Sequence, residues 1–160
     1  NFEYWGNLGD AYKFSTTLYE LAEPMYQNAI KLGLERLAVN PADADTLGFL
    51  GHYYANLGER ELALQYMAKA TALAPQSMYI HYMAATTLVA LGDLGPALQA
   101  LAKAIELGYS RELVSVDAGL ASLREKPGFS EQTRFFFKKT VLMPSEKASA
   151  GSKELTRSSL

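Results

Sequence analysis

Residues 57–73 read LGERELALQYMAKATAL, and residues 91–107 read LGDLGPALQALAKAIEL. The two stretches begin 34 residues apart and share nine identical residues at that single offset. Similarity within one chain at a fixed period of roughly 20 to 50 residues is typical of proteins built from stacked repeats. This pattern therefore decides the fold, and the rest of the chain can be placed relative to it.

Small residues in the repeated stretch mark where one helix ends and where the next helix packs. Gly58 follows Leu57 and can take the left-handed backbone conformation that ends a helix. Ala63 and Ala70 stand seven residues apart, so they share one helix face, and their small side chains let two helices approach closely. Pro75 then interrupts the second helix. The repeating unit is therefore predicted to be a pair of antiparallel helices.

The spacing of large and small residues resembles the tetratricopeptide repeat. The first half of that pattern, Trp-x-x-Leu-Gly-x-x-Tyr, is matched by Trp5, Leu8, Gly9 and Tyr12. A whole repeat is matched by Leu50, Gly51, Tyr54, Gly58, Ala63, Met67, Ala70 and Pro75. The third unit departs from the pattern in its first half, where the corresponding positions hold His81, Ala84, Ala85 and Leu88.

The resemblance implies an all-α fold, a superhelical solenoid of antiparallel helix pairs with C-terminal capping helices. We expect three such pairs in residues 1–109, at 2–41, 44–77 and 78–109. The individual helices are predicted near 2–14, 18–39, 43–57, 60–74, 77–91 and 94–107. The second of these is the longest, with Pro24 near its start and a buried stripe formed by Ala29, Ile30, Leu34 and Leu37.

Residues 110–141 no longer follow the repeat, and we expect them to form the capping helices. Ser110 and Asp117 are suitable N-caps, and the last repeat is predicted to be sealed by Leu113, Val116, Leu120 and Leu123. A further helix near 129–141 carries three adjacent phenylalanines, Phe135 to Phe137. These rings either pack on the end of the stack or form an exposed patch for self-association or a membrane surface. Residues 142–160 are predicted to be disordered.

Several short segments resemble the C-terminal repeat regions of bacterial multidomain signalling proteins, which carry an upstream kinase, cyclase or winged-helix domain. These segments are ERLAVNP at 35–41, GYSREL at 108–113, DAGLASLR at 117–124 and KPGF at 126–129. The chain begins with Asn1 rather than Met, and we expect it to be part of a longer protein. No kinase or cyclase motif occurs, so the resemblance brings no such activity to this chain.

Composition argues against several classes of function. A net charge of −2 argues against a nucleic-acid-binding surface. The absence of cysteine excludes disulfides and thiolate metal sites, and it suits a reducing compartment, so a cytoplasmic location is predicted. No run of about 18 consecutive apolar residues is present, so we expect no membrane span.

The two histidines are the candidates for catalysis or metal binding. No zinc-protease, nucleophile-elbow, phosphate-loop or dinucleotide motif occurs in the sequence. His81 falls at a packing position between paired helices, which favours a satisfied core residue over a ligand. His52 is predicted to lie on the inner face of its helix, aligned with Asp10 and Thr86, and no partner for acid–base chemistry is evident. We therefore expect no enzyme activity, no cofactor and no metal site.

In the family that the chain resembles, the first helices of successive pairs line the concave side. The resemblance therefore predicts a partner-binding groove formed by Asp10, Lys13, Asp45, Phe49, His52, Asn56, Tyr79, Tyr82, Met83 and Thr86. Gly6 and Gly48, opposite Tyr82, are expected to leave this groove open at one end and aromatic at the other. Packing against neighbouring helices is an equal alternative for the tyrosines and for Met83. Because the matching positions lack the Lys and Asn of chaperone-binding members, no clamp for a C-terminal carboxylate is expected.

The leading prediction is a protein–protein interaction module that binds a protein or peptide partner and belongs to a larger bacterial signalling protein. One alternative is self-association through the phenylalanine-rich terminal helix, which would make the protein a homo-oligomer. Another is a small-ligand sensor or enzyme that uses His52 and the groove tyrosines. A deep, narrow pocket at His52 would favour this last alternative.

Overall fold

The structure, a computed structural model, describes residues 1–131. Within this range the helices are α1 Phe2–Lys13, α2 Ala22–Val39, α3 Ala44–Asn56, α4 Arg60–Leu73, α5 Met78–Ala90, α6 Leu94–Glu106, α7 Arg111–Val116 and α8 Ala121–Arg124. Two 3-10 turns, Tyr19–Leu21 and Ala118–Leu120, precede α2 and α8. No strand occurs in the described part of the chain, and the predicted all-α class is confirmed.

The helices pack as consecutive pairs, α1 with α2, α3 with α4, and α5 with α6. Short connections make the members of each pair antiparallel. The first helices of the pairs also contact one another, because α3 packs on both α1 and α5. We call α1, α3 and α5 the inner layer. This arrangement confirms the predicted solenoid, and none of the described helices is long and apolar enough to cross a membrane.

The same turn closes α3 and α5, as the sequence repeat predicts. Gly58 and Gly92 have φ angles of 79° and 81°, which lie in the left-handed region that glycine adopts at little cost. The residue after each glycine donates its backbone N–H to a carbonyl oxygen in the last turns of the helix. Glu59 donates to Tyr54 and Asp93 donates to Leu88, both at 2.9 Å. These bonds satisfy carbonyl groups that the helix end would otherwise leave without a partner.

The small residues of the repeat lie where paired helices meet. Ala63, Ala70, Ala97 and Ala104 are all completely buried. A Cβ atom built on Gly51 would lie 3.1 Å from the backbone oxygen of Ala63, so α3 and α4 touch almost backbone to backbone. The predicted role of these small side chains is confirmed.

Helix α2 differs from the prediction at its start and on its buried face. It begins at Ala22 rather than residue 18, and Pro24 stands in its first turn, where a missing N–H group removes no helical hydrogen bond. The prediction that Leu34 is buried is wrong, because 39% of its surface is exposed. Gly33 takes the buried place instead and packs against Leu50. A one-residue step turns a helical side chain by about 100°, so the contact with α3 passes through Gly33 and not its neighbour.

The C-terminal cap agrees with the prediction in part. The side chains of Ser110 and Asp117 accept N-cap hydrogen bonds, and Leu120 and Leu123 are completely buried. Leu113 and Val116 were expected in the core but are 55% and 76% exposed. The short α7 can bury only one face, and that face carries Val114. The terminal phenylalanines Phe135 to Phe137 and the tail 142–160 lie outside the described residues.

Candidate functional site

A cavity of about 470 Å³ lies against the inner layer of helices. One wall comes from the C-terminal half of α1, the middle and end of α3, and most of α5. The opposite wall comes from the cap, at Asp117 to Gly119 and at Ala121 and Ser122. The volume falls in the range of about 300–1,000 Å³ that is usual for ligand-binding pockets.

All but one of the groove residues predicted from the sequence line this cavity. They are Asp10, Lys13, Phe49, His52, Asn56, Tyr79, Tyr82, Met83 and Thr86. Asp45 does not line the cavity and is exposed. It stands one helical turn before Phe49, which is the first cavity-lining residue of α3, so it lies beyond the end of the cavity.

Two groups of lining residues were not predicted from the sequence. The first group also faces the cavity and comprises Asn7 on α1, Phe14 directly after α1, and Val89 and Ala90 on α5. Their spacing of three or four residues from predicted positions could have indicated them. The lining residues of the cap, 117–119 and 121–122, had no such signal, because their place depends on how the cap folds back over α5.

Neighbouring side chains fill the space beside the two glycines that were expected to open the groove. A Cβ atom on Gly6 would lie 2.1 Å from the ring end of Tyr53, and one on Gly48 would lie 3.2 Å from Ile80 and Met83. Because protein interiors are closely packed, side chains from the adjacent helix of the inner layer occupy the space that glycine leaves. The expectation of a groove open at Gly6 and Gly48 is therefore wrong.

A polar cluster joins α1, α2 and α3 at the cavity. The Tyr26 hydroxyl donates to Asp10 Oδ1 at 2.7 Å, and His52 Nε2 donates to the same oxygen at 3.0 Å. The expectation that His52 has no positioned partner is therefore wrong. Asp10 and His52 are 42 residues apart in the sequence, and the stacking of α1 on α3 brings them together.

The cluster continues from His52 to Asn56 and Lys13, which also line the cavity. The ammonium of Lys13 donates to the side-chain oxygen of Asn56, whose amide donates to the His52 carbonyl at 3.0 Å. On the other side, His52 Nδ1 lies 3.4 Å from the hydroxyl of Thr86 on α5. Every inner helix therefore contributes a polar side chain to one connected set.

The electrostatics of the cluster favour an ionised Asp10. Burial alone would raise the pKa of the Asp10 carboxyl, but the hydrogen bond and charge interaction with His52, the Tyr26 hydroxyl and the Lys13 charge together lower it. Burial lowers the pKa of Lys13, and Asp10 opposes that shift only in part. The carboxylate is thus the better stabilised of the two opposite charges.

A series of aromatic rings crosses the inner layer beside the polar cluster. Phe49 stacks on Tyr53 with ring centroids 5.9 Å apart and meets Tyr79 edge-on at 6.1 Å. Tyr79 and Tyr82 stack at 6.0 Å, and Tyr82 and Tyr109 stack at 4.4 Å. Phe49, Tyr79 and Tyr82 of this series line the cavity and form its aromatic wall.

The aromatic wall is only partly exposed. Tyr79 presents 39% of its surface to solvent, whereas Met83 and Thr86 retain 3% and 7%. The packing interpretation therefore holds for Met83, and Tyr79 is the more accessible ring. Tyr82 donates its hydroxyl to Asp117 Oδ2 at 2.5 Å and so ties α5 to the cap. Burial and the Asp117 carboxylate raise the pKa of Tyr82, which keeps its hydroxyl protonated.

The second histidine lies away from the cavity. His81 is half-buried, and its Nε2 atom is 2.9 Å from the carbonyl oxygen of Pro75, close enough to donate a hydrogen bond. It is satisfied as predicted, but its predicted place in the core is wrong, because it sits at the edge of the turn between α4 and α5. Within residues 1–131, no group of three or more potential ligands is placed to hold a metal ion.

The α3–α4 pair and the turn that follows it are the part of the chain with a family match. Residues 44–77 match the tetratricopeptide repeat. A curated relative, Protein CTR9 homolog of Arabidopsis thaliana, is 42% identical over 64 residues, which are 40% of this chain and 6% of that protein. The chain therefore corresponds to a small part of that relative's length. Together with the fold, these similarities support the predicted resemblance to tetratricopeptide repeat proteins.

Proposed function

We propose that this chain is a non-catalytic module that binds a segment of another protein in the cavity of its inner layer. Tetratricopeptide repeats generally mediate protein–protein interaction, which is the coarse function that the family match supports. The observation that carries the finer proposal is the cavity itself. It joins an accessible aromatic ring, Tyr79, with polar groups from all three inner helices, and such rings are favoured anchors in protein interfaces.

The geometry around His52 supports binding rather than catalysis. The hydroxyl nearest to His52 belongs to Thr86, which is buried and donates to the Met83 carbonyl at 3.1 Å. A nucleophile must present its oxygen to a substrate, and this hydroxyl points into the helix backbone instead. The pair of His52 and Asp10 then serves to connect α1 with α3.

The wider context of the module extends this proposal. We propose three repeat pairs over residues 1–109 with a cap at 110–141, and a place in a larger bacterial signalling protein of the cytoplasm. The resemblance of segments 108–113 and 117–124 to such proteins supports this context. Self-association through Phe135 to Phe137 concerns residues outside the described range, and light scattering over a wide concentration range would test it.

A display library of random peptides tests the proposed function directly. Peptides enriched on the wild-type protein are synthesised, and their dissociation constants are measured by fluorescence anisotropy. Tyr79→Ala should weaken binding at least about tenfold, because removing a central aromatic anchor typically costs more than about 1–2 kcal/mol. Tyr19→Ala is the matched control, since Tyr19 is exposed but does not line the cavity. Equal affinities of the two variants, or no enriched peptide at all, would refute the proposal.

A further inference from the structure

We infer that the bound segment places an arginine side chain in the cavity, between Asp10 and Asp117 and against the rings of Phe49, Tyr79 and Tyr82. This inference rests on the proposed function and adds the chemistry of the partner. Three independent features of the cavity support it: the balance of charge, a free carboxylate oxygen and the aromatic wall.

The charges that line the cavity favour a cation. Asp10 and Asp117 face it from opposite walls, and Lys13 is the only lysine or arginine among the described lining residues. The Lys13 ammonium is bound to the side-chain oxygen of Asn56, and its one positive charge leaves the two aspartates with an excess of negative charge. A negatively charged segment would place its carboxylate beside these aspartates, and like charges at close range repel.

Tyr79, the most exposed of the three rings that line the cavity, lies in the same negative field. Burial raises the pKa of Tyr79 most, Tyr109 comes next, and the carboxylates of Glu3, Asp45 and Asp10 raise it further. Asp45 is outside the cavity, but its charge still reaches this ring. Carboxylates on α1 and α3 therefore lie near enough to act on this ring, and they would attract a basic segment.

Asp10 keeps one oxygen for a ligand. Its Oδ1 atom accepts from both Tyr26 and His52, whereas Oδ2 accepts no hydrogen bond from any described residue. Asp10 lines the cavity and its side chain is 36% exposed, so a ligand in the cavity can reach this carboxyl group. A carboxylate held ionised with one free oxygen is a suitable acceptor for a guanidinium group.

The aromatic wall favours arginine over lysine. A guanidinium group is planar, so it can stack on an aromatic face while its five N–H donors reach a carboxylate in the same plane. Tyr79 is 39% exposed and stacks on Tyr82, whose hydroxyl is bound to Asp117, so the accessible ring lies in the same wall as this carboxylate. A lysine ammonium would gain the charge interaction but not the stacking.

Peptide selection on the full chain tests this inference. A library of random dodecapeptides should yield sequences enriched in arginine. Each selected peptide is then compared with a copy in which citrulline, a neutral group of the same shape, replaces arginine. The neutral copy should bind at least about tenfold more weakly, and the affinity of the parent peptide should fall as salt is added.

Variants of the protein locate the charge. Asp10→Asn and Asp117→Asn keep an acceptor oxygen for Tyr26 and Tyr82 but remove the negative charge. Each variant should bind the arginine peptide at least about tenfold more weakly than the wild type does, and its affinity for the citrulline copy should be unchanged. Asp93→Asn is the matched control, because Asp93 pairs with Arg60 at 2.5 Å and does not line the cavity. Circular dichroism melts verify that all the variants are folded.

The outcomes separate this inference from the function on which it rests. If the selected peptides are neutral or acidic and Tyr79→Ala weakens their binding, the arginine assignment is wrong and the proposed function stands. Peptide binding that is unchanged by Tyr79→Ala would overturn both the arginine assignment and the proposed function. The chain's own C-terminal part carries Arg134, which is the alternative occupant that the test must distinguish. If the wild type did not bind arginine peptides but the Arg134→Ala variant did, the bound segment would belong to this chain. The assignment of the segment to another protein would then be wrong.

Discussion

Replacing Gly6 by alanine tests the close contact between α1 and α3 on which the inner layer depends. The new Cβ atom would lie 2.1 Å from Cζ and from the hydroxyl oxygen of Tyr53, and 2.3 Å from Cε1. Ordinary contact between such atoms needs about 3.5–4.0 Å. Only 1% of Tyr53 is exposed, so its ring has no free space to move into. The substitution therefore forces the two helices apart or the ring out of its place.

The expected magnitude follows from two opposing effects. Overpacking a core costs about 1–3 kcal/mol, and an overlap with rigid ring atoms belongs at the upper end of that range. Alanine also favours the helix over glycine by about 1 kcal/mol. We expect Gly6→Ala to lower the free energy of unfolding by about 2 kcal/mol. Urea unfolding followed by circular dichroism measures this change, and for a chain of this size the melting temperature should fall by about 4–8 °C.

Two further variants check the cause. Gly95 lies in α6 with no atom within 4 Å of its ideal Cβ position, so Gly95→Ala should leave stability unchanged or raise it by up to about 1 kcal/mol. Gly6→Ala should cost much less in a Tyr53→Leu background, where the ring is absent. A Gly6→Ala protein as stable as Gly95→Ala, or an undiminished cost in the Tyr53→Leu background, would refute the reasoning.

Two other predictions concern packing and pH. Ala70→Leu should lower the free energy of unfolding by about 1–3 kcal/mol, because Ala70 on α4 is completely buried. Ala68 lies in the same helix but is exposed, so Ala68→Leu should change the free energy of unfolding little. Equal thermal melts of these two variants would contradict the packing. The lowered pKa of Asp10 means that its ionised form stabilises the fold above the unfolded value of about 3.9, and this contribution disappears as the pH falls through the lower native value. The stability difference between the wild type and Asp10→Asn should therefore shrink below about pH 5, and a difference independent of pH would count against the Asp10 interactions.

Much of the fold follows from local features that the sequence displays directly. The offset of 34 residues, the glycines at 58 and 92 and the buried alanines such as Ala63 indicate helix ends and helix–helix contacts, and the structure agrees with each of them. Such features depend on backbone conformation and on spacing within one unit, so a sequence pattern is enough to predict them. The errors at Leu34 and Leu113 are errors of helix rotation, since a helix with apolar residues on two faces does not indicate which face is buried.

The candidate site shows both kinds of information side by side. Helical periodicity on the inner faces was sufficient to predict that Asp10, His52 and Thr86 share one surface. It did not predict that Asp10 and His52 would bond each other, that Tyr53 would fill the space at Gly6, or that the cap would supply a wall through Asp117.

The sequence alone thus determined the repeat, the helices and most of the residues that face inward. Only the tertiary structure decided how far neighbouring helices approach, which side chains meet across the repeats, and where the cap lies over α5. The physical reason is that these contacts join residues 34 to 47 positions apart, as in Thr86 with His52 and Gly6 with Tyr53. Their geometry depends on the relative rotation and distance of packed helices, and no local spacing in the chain encodes those two quantities.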